Sequence, residues 1–238
     1  MSLRVENITA GYYPGINVIQ DVSIKVDEGQ LVSIIGPNGA GKSTLLRAIY
    51  GLLPPRSGRV IFNGEDITRL TPFQKLAKGI AFIQQERSVF PYLTVREHLE
   101  LGGWLIRKDR RKLEERIDAV LDRYPLLQEK ISEKAINLSG GMQRILELAR
   151  AHIIDPKVIF FDEPTAGLAP IIAKEIYNEI KKLRGERTII VVDQNLRAAM
   201  DIAEYTYVLE LGRIRGQGKK EDAMKILKQI AASWIAIE

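Results

Sequence analysis

Polar and apolar positions alternate with a period of two near the start of this chain, and short apolar runs return towards its end. Leu3 to Ile8 reads as a strand. Val22, Ile24 and Val26 alternate with Ser23 and Lys25, the pattern of a half-buried strand. Leu31 to Ile35 is a short continuous apolar run, the signature of a buried strand. After Lys42 the residues favour a helix, with Leu45, Leu46 and Ile49 on one face, and Pro54 and Pro55 break it. Val60 to Phe62 forms a further strand, closed by the turn pair Asn63-Gly64, and Ile80 to Ile83 another. From Phe90 to about Ala149 strand-like runs vanish. Leu93 to Leu101 and Lys112 to Tyr124 read as helices, the second with Leu113, Ile117, Val120, Leu121 and Tyr124 on one stripe and Pro125 as its stop. Alternation then resumes. Val158 to Phe161 and Thr188 to Val192 are strands, with a helix between them over Ile171 to Leu183 that turns Ile172, Ile176, Ile180 and Leu183 to one side. Tyr205 to Leu211 is a last strand. The tail from Glu221 to Ile237 is amphipathic, with Met224, Leu227, Ala231 and Trp234 at helical spacing, a stripe suited to core packing or docking.

Strands that alternate with helices argue for a parallel α/β sheet. The expected organisation is one domain over residues 1–238. Residues 1–89 and 150–238 form the α/β core with a small antiparallel β subdomain at its N-terminal end, and residues 90–149 form an inserted helical lobe.

Composition narrows this only slightly. A hydrophobic fraction of 45% with 27% charged residues is enough for a large buried core. The absence of cysteine excludes disulfides and thiol chemistry. A formal net charge of +5 is a mild bias, and the basic residues are interspersed with acids, so no nucleic-acid groove is demanded. No apolar run approaches a membrane span, and the opening MSLRVENITA lacks an apolar signal region. The expected location is cytoplasmic, with any membrane role supplied through a partner.

The chemistry is concentrated in three stretches. Gly36-Pro37-Asn38-Gly39-Ala40-Gly41-Lys42-Ser43 fits G-x-x-x-x-G-K-[ST] at every fixed position, between a strand and a helix that continues with Thr44. Such a loop captures phosphate. Glycines let successive backbone N–H groups converge on phosphate oxygens, and the following helix aims its positive end at the same point. Lys42 is placed to reach β- and γ-phosphates, and the Ser43 hydroxyl to hold Mg²⁺. The run Val158-Ile159-Phe160-Phe161-Asp162-Glu163-Pro164 ends a buried strand in two carboxylates. Asp162 suits the Mg²⁺ opposite Ser43. Glu163 is the candidate general base or water-orienting group. The third stretch, Leu138-Ser139-Gly140-Gly141-Met142-Gln143, opens another helix and makes a second helix-start anion site. One nucleotide does not need two such sites from one chain; a head-to-tail pair in which each Ser-Gly-Gly completes the other chain's site is one solution, and an ordinary Ser cap with a flexible lead-in is the alternative.

The phosphate loop, LSGGMQ and FFDEP, in this order and spacing, resemble the ATP-binding subunits of ABC transporters over nearly the whole chain. The resemblance implies a P-loop NTPase (RecA-like) core, a helical lobe carrying LSGGM, and a dimer with ATP and Mg²⁺ at its interface. Partners are transmembrane permease subunits and either a second copy or a sister ATPase, with no nucleic acid and no contact with the transported solute. The implied position is peripheral, on the inner face of the cell membrane. Gln85 matches the residue that senses Mg²⁺ and the permease, with Gln84 the weaker choice. Tyr12 matches the aromatic residue that stacks on adenine, with Tyr13 as alternate. Ser139, Gly140 and Gly141 match the residues that touch the partner's ATP. Two positions depart from the general pattern. Ala169 stands where most relatives have Asp, and Gln194 where most have the histidine that senses the γ-phosphate. Gln194 can donate an amide N–H but cannot titrate. GLAP, Asp193-Gln194-Asn195 and VFPYLTVREHLELGG resemble an ATPase subunit of branched-chain amino acid importers. Urea-type importers look similar, and a lipid or lipopolysaccharide exporter ATPase is the rival reading. His98 and His152 lack companion ligands and are expected at the surface or as caps.

Overall fold

The computed structural model describes residues 3–86 and 88–235, and side chains as far as residue 230. Strands β1 (Leu3–Ala10) and β2 (Ile19–Val26) pair antiparallel. Leu3, Val5, Ile8 and Ala10 face inward from β1, so its alternation is that of a sheet with one wet face. Strand β3 (Leu31–Ile35) is buried along its whole length. Helix α1 (Lys42–Tyr50) follows the glycine-rich loop and ends on Gly51 in the left-handed conformation, with φ 90°. Strand β4 (Ser57–Phe62) turns through Asn63 and Gly64, both at positive φ, into the two-residue β5 (Glu65–Asp66). Helix α2 (Pro72–Ala77) opens with a Thr71/Gln74 capping box, and β6 (Ile80–Ile83) follows.

Helices α3 (Val95–Gly102), α4 (Arg110–Arg123), α5 (Pro125–Gln128) and α6 (Gly140–His152) come next, with no strand among the described residues of this stretch. Thr94 and Glu97 cap α3, and Asp109 caps α4. The expected stripe of α4 is buried from Leu113 to Leu121. Pro125 stops α4 and also starts α5, because its fixed φ and missing N–H suit a first helical turn. Helix α6 runs on to His152 and so crosses the expected 149/150 division.

The remaining chain supplies β7 (Val158–Asp162), α7 (Pro170–Lys182), β8 (Thr188–Val192), α8 (Leu196–Ile202), β9 (Tyr205–Glu210), β10 (Arg213–Gly218) and α9 (Lys220–Ile235). The tail is helical as expected. The side chains of Ala231 and Trp234, and all of Ala236 and Ile237, lie outside the described residues.

Two sheets result. The first is antiparallel in the order β2-β1-β4-β5, and the second runs β10-β9-β3-β8-β7-β6. In the second, β9, β3, β8, β7 and β6 are parallel and β10 is antiparallel to β9. One apolar cluster fills the space between the sheets around α1, where Tyr50 and Phe82 each meet Phe160 edge to face and are tilted against one another. A second lies on the opposite face of the parallel sheet and takes the inner faces of α3, α4, α6 and α7. This is an α/β P-loop fold with an antiparallel β subdomain and an inserted helical lobe.

The histidines correct the sequence reading. His98 is wholly buried, its Nε2 accepting the Phe90 N–H at 2.9 Å and its Nδ1 lying 2.8 Å from the Thr94 carbonyl. His152 is also buried, stacked on Tyr124 and hydrogen-bonded to its hydroxyl at 2.9 Å. His98 finds polar partners at both ring nitrogens and His152 at Nδ1, while the buried Nε2 of His152 has none among the described residues; periodicity alone reveals neither.

Candidate functional site

Parallel strands bring their carboxyl ends to one edge, where an open α/β sheet binds ligands. Here Ile34 pairs with Val192 and Val192 with Asp162, so the exits of β3, β7 and β8 are level. The loop after β3 is built for close backbone approach. A Cβ on Gly36 would stand 1.9 Å from the Leu209 carbonyl oxygen. Gly41 has φ 100°, and a Cβ there would meet Ile19 at 2.8 Å. Within this frame Asn38 and Gly39 are exposed, Pro37 is half-buried and Ala40 is buried.

Lys42 is buried and folds back on its own loop, donating to the carbonyls of Gly36 at 2.9 Å and Pro37 at 3.0 Å. Burial lowers its pKa, opposed by the carboxylates of Glu163, Asp162 and Asp193. Ser43 donates its hydroxyl hydrogen to Asp162 Oδ1 at 2.7 Å. Asp162 is fully buried, and its Oδ2 has no hydrogen-bond partner among the described residues. Burial raises its pKa, and the Ser43 hydrogen bond counters that. A lone buried carboxylate oxygen beside a hydroxyl is a hard oxygen donor set, which fits Mg²⁺. Among the described residues no group of three or more His, Cys, Asp or Glu could hold a metal. The donor set therefore suits an ion that takes its other ligands from phosphate and water.

Glu163 sits in the left-handed region at φ 48°, uncommon for a residue with a side chain. Its N–H donates to the Val192 carbonyl at 2.7 Å. Its Oε2 accepts the Gln85 amide at 2.7 Å and the Gln194 amide at 2.8 Å. Three residues far apart in sequence thus meet at one oxygen. Gln85 directs its amide at Glu163, while Ser43 and Asp162 form their own pair. Next to Gln194, the buried Asp193 accepts from the Thr165 hydroxyl at 3.0 Å.

The Tyr12 hydroxyl stands 3.4 Å from Thr44 Oγ1, against the first turn of α1. Tyr13 is mostly exposed, and its carbonyl accepts from Arg56. Ser139 is an exposed cap on α6, its hydroxyl accepting from the Met142 N–H at 3.3 Å. Gly141 is buried against α7, where a Cβ would meet Ile172 at 2.5 Å. Helix α1 packs on β1 and β7, whereas α6 packs on α3, α4, α7 and β6. The chain thus gathers the phosphate loop, Asp162, Glu163, Gln85 and Gln194 at one edge, with Ser139, Gly140 and Gly141 on a different set of neighbours.

Sequence reasoning missed Arg144. This buried guanidinium donates to the carbonyls of Gln84, Glu163 and Pro164 and pairs with the buried Glu147. The available signal was an Arg and a Glu three residues apart on the same helical stripe as Gly141 and Leu148.

The family model described as ABC transporter matches residues 19–166, a segment that holds the loop, LSGGM and both carboxylates. The chain belongs to the ABC transporter family. As an ABC transporter ATPase it binds nucleotide and hydrolyses ATP to drive transport. It is 37% identical to the probable branched-chain amino acid transport ATP-binding protein LivF of Archaeoglobus fulgidus, over 94% of each chain. It is 41% identical to the high-affinity branched-chain amino acid transport ATP-binding protein BraG of Pseudomonas aeruginosa, over 85% of this chain and 87% of that one. The lipopolysaccharide export system ATP-binding protein LptB of Haemophilus influenzae is 34% identical, over 93% and 92%. Among solved structures, the ADP conformation of an ATP-binding cassette of an ABC transporter superposes with a TM-score of 0.84 at 33% identity, over 94% of both chains. Among the described residues of this ABC ATPase, no helix is long and apolar enough to cross a membrane.

Proposed function

We propose that this ATPase energises an importer for branched-chain amino acids, binding ATP with Mg²⁺ in a head-to-tail dimer on the cytoplasmic face of a transmembrane permease. The observation that carries the catalytic reading is the convergence of Gln85 and Gln194 on Glu163, beside the Ser43–Asp162 pair. Without nucleotide, two neutral amides hold the carboxylate without cancelling its charge.

In this reading Lys42 leaves the carbonyls of Gly36 and Pro37 for the β- and γ-phosphate oxygens, and the loop amides from Pro37 to Thr44 complete the cradle, Pro37 itself having no N–H. Tyr12 stacks on the adenine. Ser43, Asp162 and Gln85 are the residues that would hold Mg²⁺, which would neutralise phosphate charge. Glu163 aligns a water with the γ-phosphorus and takes its proton. The new P–O bond forms as the bond to the β-phosphate oxygen breaks, leaving ADP and inorganic phosphate. The Gln194 amide moves from Glu163 to a γ-phosphate oxygen. Ser139, Gly140 and Gly141 of the facing chain, a second copy or a sister ATPase, close over the same phosphate. Residues 90–149, with the end of α6, act as the lobe that swings against the core of residues 1–89 and 150–238. The permease docks near Gln85 to Leu93, where the exposed rings of Phe90 and Tyr92 offer apolar contact. The solute never touches this chain, and nucleic acid has no part.

The importer reading draws on the LivF and BraG relatives and on Gln194. An exporter ATPase is the second reading, favoured by the LptB relative. Co-reconstitution with the permeases of the neighbouring genes distinguishes them: the importer reading expects ATP-driven leucine uptake. The catalytic reading is tested by Glu163→Gln. Nucleotide binding should persist, hydrolysis should fall by roughly a hundredfold or more, and an ATP-dependent dimer should accumulate on gel filtration. Normal hydrolysis in that variant removes Glu163 from the chemistry.

A further inference from the structure

One buried side chain ties three pieces of the site to the helix that leads out of LSGG. Arg144 lies on the second turn of α6 and is only 6% exposed. Its Nε donates to the Pro164 carbonyl at 2.8 Å, and a terminal nitrogen to the Glu163 carbonyl at 3.2 Å. The other terminal nitrogen donates to the Gln84 carbonyl at 2.9 Å and to Glu147 at 2.6 Å. Glu147 in turn accepts from the N–H and hydroxyl of Ser88, and Arg150 donates to the Ser88 carbonyl at 2.7 Å. The guanidinium therefore bridges the exit of β7, the exit of β6 and helix α6.

A buried ion pair is weak grounds for a claim about stability, since desolvation offsets its Coulomb energy. Its geometry here is more informative. Glu163 holds a left-handed φ of 48°, a conformation that costs free energy in a residue with a Cβ and persists only where the surroundings impose it. Two of the imposing contacts are the Arg144 hydrogen bonds to Glu163 and Pro164. A third is the Glu163 N–H to Val192. Arg144 also holds the backbone just before Gln85, whose amide meets the Glu163 carboxylate.

We propose that Arg144 is a positioning residue for hydrolysis. It fixes the Glu163 peptide, Gln84 and, through Glu147, Ser88 to α6, so that the orientation of the carboxylate and the position of the Ser139 helix start move as one piece. The proposal rests on the reading of Glu163 as the group that activates water. Only a planar fork of donors can span three carbonyls on two strand exits and a carboxylate on α6; an ammonium has the charge but not the reach in these directions.

The test is steady-state ATPase of Arg144→Lys, alone and in the Glu163→Gln background. Alone, kcat should fall by roughly tenfold to a hundredfold, as for a misplacement of about an ångström, with KM for ATP unchanged within about twofold. In the Glu163→Gln background the same substitution should leave the residual rate unchanged, because the group it positions is already gone. Wild-type kcat in Arg144→Lys overturns the proposal. So does a full additional loss in the Glu163→Gln background, which would mean that Arg144 acts elsewhere and would leave the role of Glu163 standing. Normal hydrolysis by Glu163→Gln alone would overturn both. If Arg144→Lys does not fold, Glu147→Gln decides. It replaces one of the two carboxylate oxygens, Oε2 on Arg144 and Oε1 on Ser88, with an NH2 that cannot accept, so one of these links to α6 is lost, and it should lower kcat in the same non-additive way; an unchanged kcat there also overturns the proposal.

Discussion

The two glycine-led helix starts of this chain look alike in sequence and are built differently. Helix α1 has no side-chain cap, and Gly41 before it is left-handed. Its first N–H groups take no side-chain cap, which suits an external anion, and Lys42 lies on loop carbonyls nearby. Helix α6 has an ordinary cap, with Ser139 accepting from Met142. Neither Gly140 nor Gly141 has positive φ, and Gly141 is small because Ile172 is close. The first start, uncapped and with a lysine beside it, fits a phosphate cradle. The second is a self-capped helix end whose exposed Ser139 has anion-binding capacity and no phosphate loop beside it. A chain with one cradle and one such end suits a site made between two chains.

The largest expected effect falls on the cradle. Lys42→Ala should weaken nucleotide binding to the monomer by roughly a hundredfold, from the loss of charge-assisted hydrogen bonds to two phosphates. Isothermal titration with ATP measures it, and wild-type affinity would leave the two helix starts without functional contrast.

That contrast was half legible in the sequence. Leu31 to Ile35, the eight-residue loop and Thr188 to Val192 could be read because each is a short apolar run or a fixed spacing with a single physical meaning. Strand β10 was not, since Arg213 to Gly218 holds one apolar side chain, Ile214, among glycines and polar residues. Helices α2 and α8 are too short for a period of 3.6 to show, although Thr71 and Asn195 cap them. The contacts at Glu163 were beyond reach for another reason. Gln85, Arg144 and Gln194 become its neighbours only when β6, α6 and β8 are brought to one edge, and no local pattern encodes that.

An intermediate effect is expected at Gln194. Gln194→Ala removes one of the two amides on Glu163 and should lower kcat by roughly tenfold. Gln194→His should remain active and gain a pH dependence near neutrality, where an unperturbed imidazole titrates. ATPase rates across pH for the three proteins check both, and an alanine variant equal to wild type would separate Gln194 from the site.

A smaller effect concerns the helical lobe that carries α6. Burial pushes the His152 pKa down to about 4 from an ordinary 6.5. The unfolded chain therefore binds a proton that the folded one refuses between these values, and stability falls as pH drops from about 6.5 towards 4. The loss is at most about 3.5 kcal/mol, at roughly 1.4 kcal/mol per pH unit. His152→Phe should flatten this part of the stability curve relative to wild type in urea titrations at stepped pH. An unchanged acid limb would show that His152 does not govern it.

The most direct test of the contrast joins Ser139→Arg to Glu163→Gln and measures two things on one protein, nucleotide affinity of the monomer and mass of the ATP-loaded species by light scattering. If the start of α6 serves the facing chain, affinity stays near that of Glu163→Gln alone and the ATP-dependent dimer disappears. Affinity lost to the extent seen in Lys42→Ala, or a dimer that persists, would contradict a site shared head to tail.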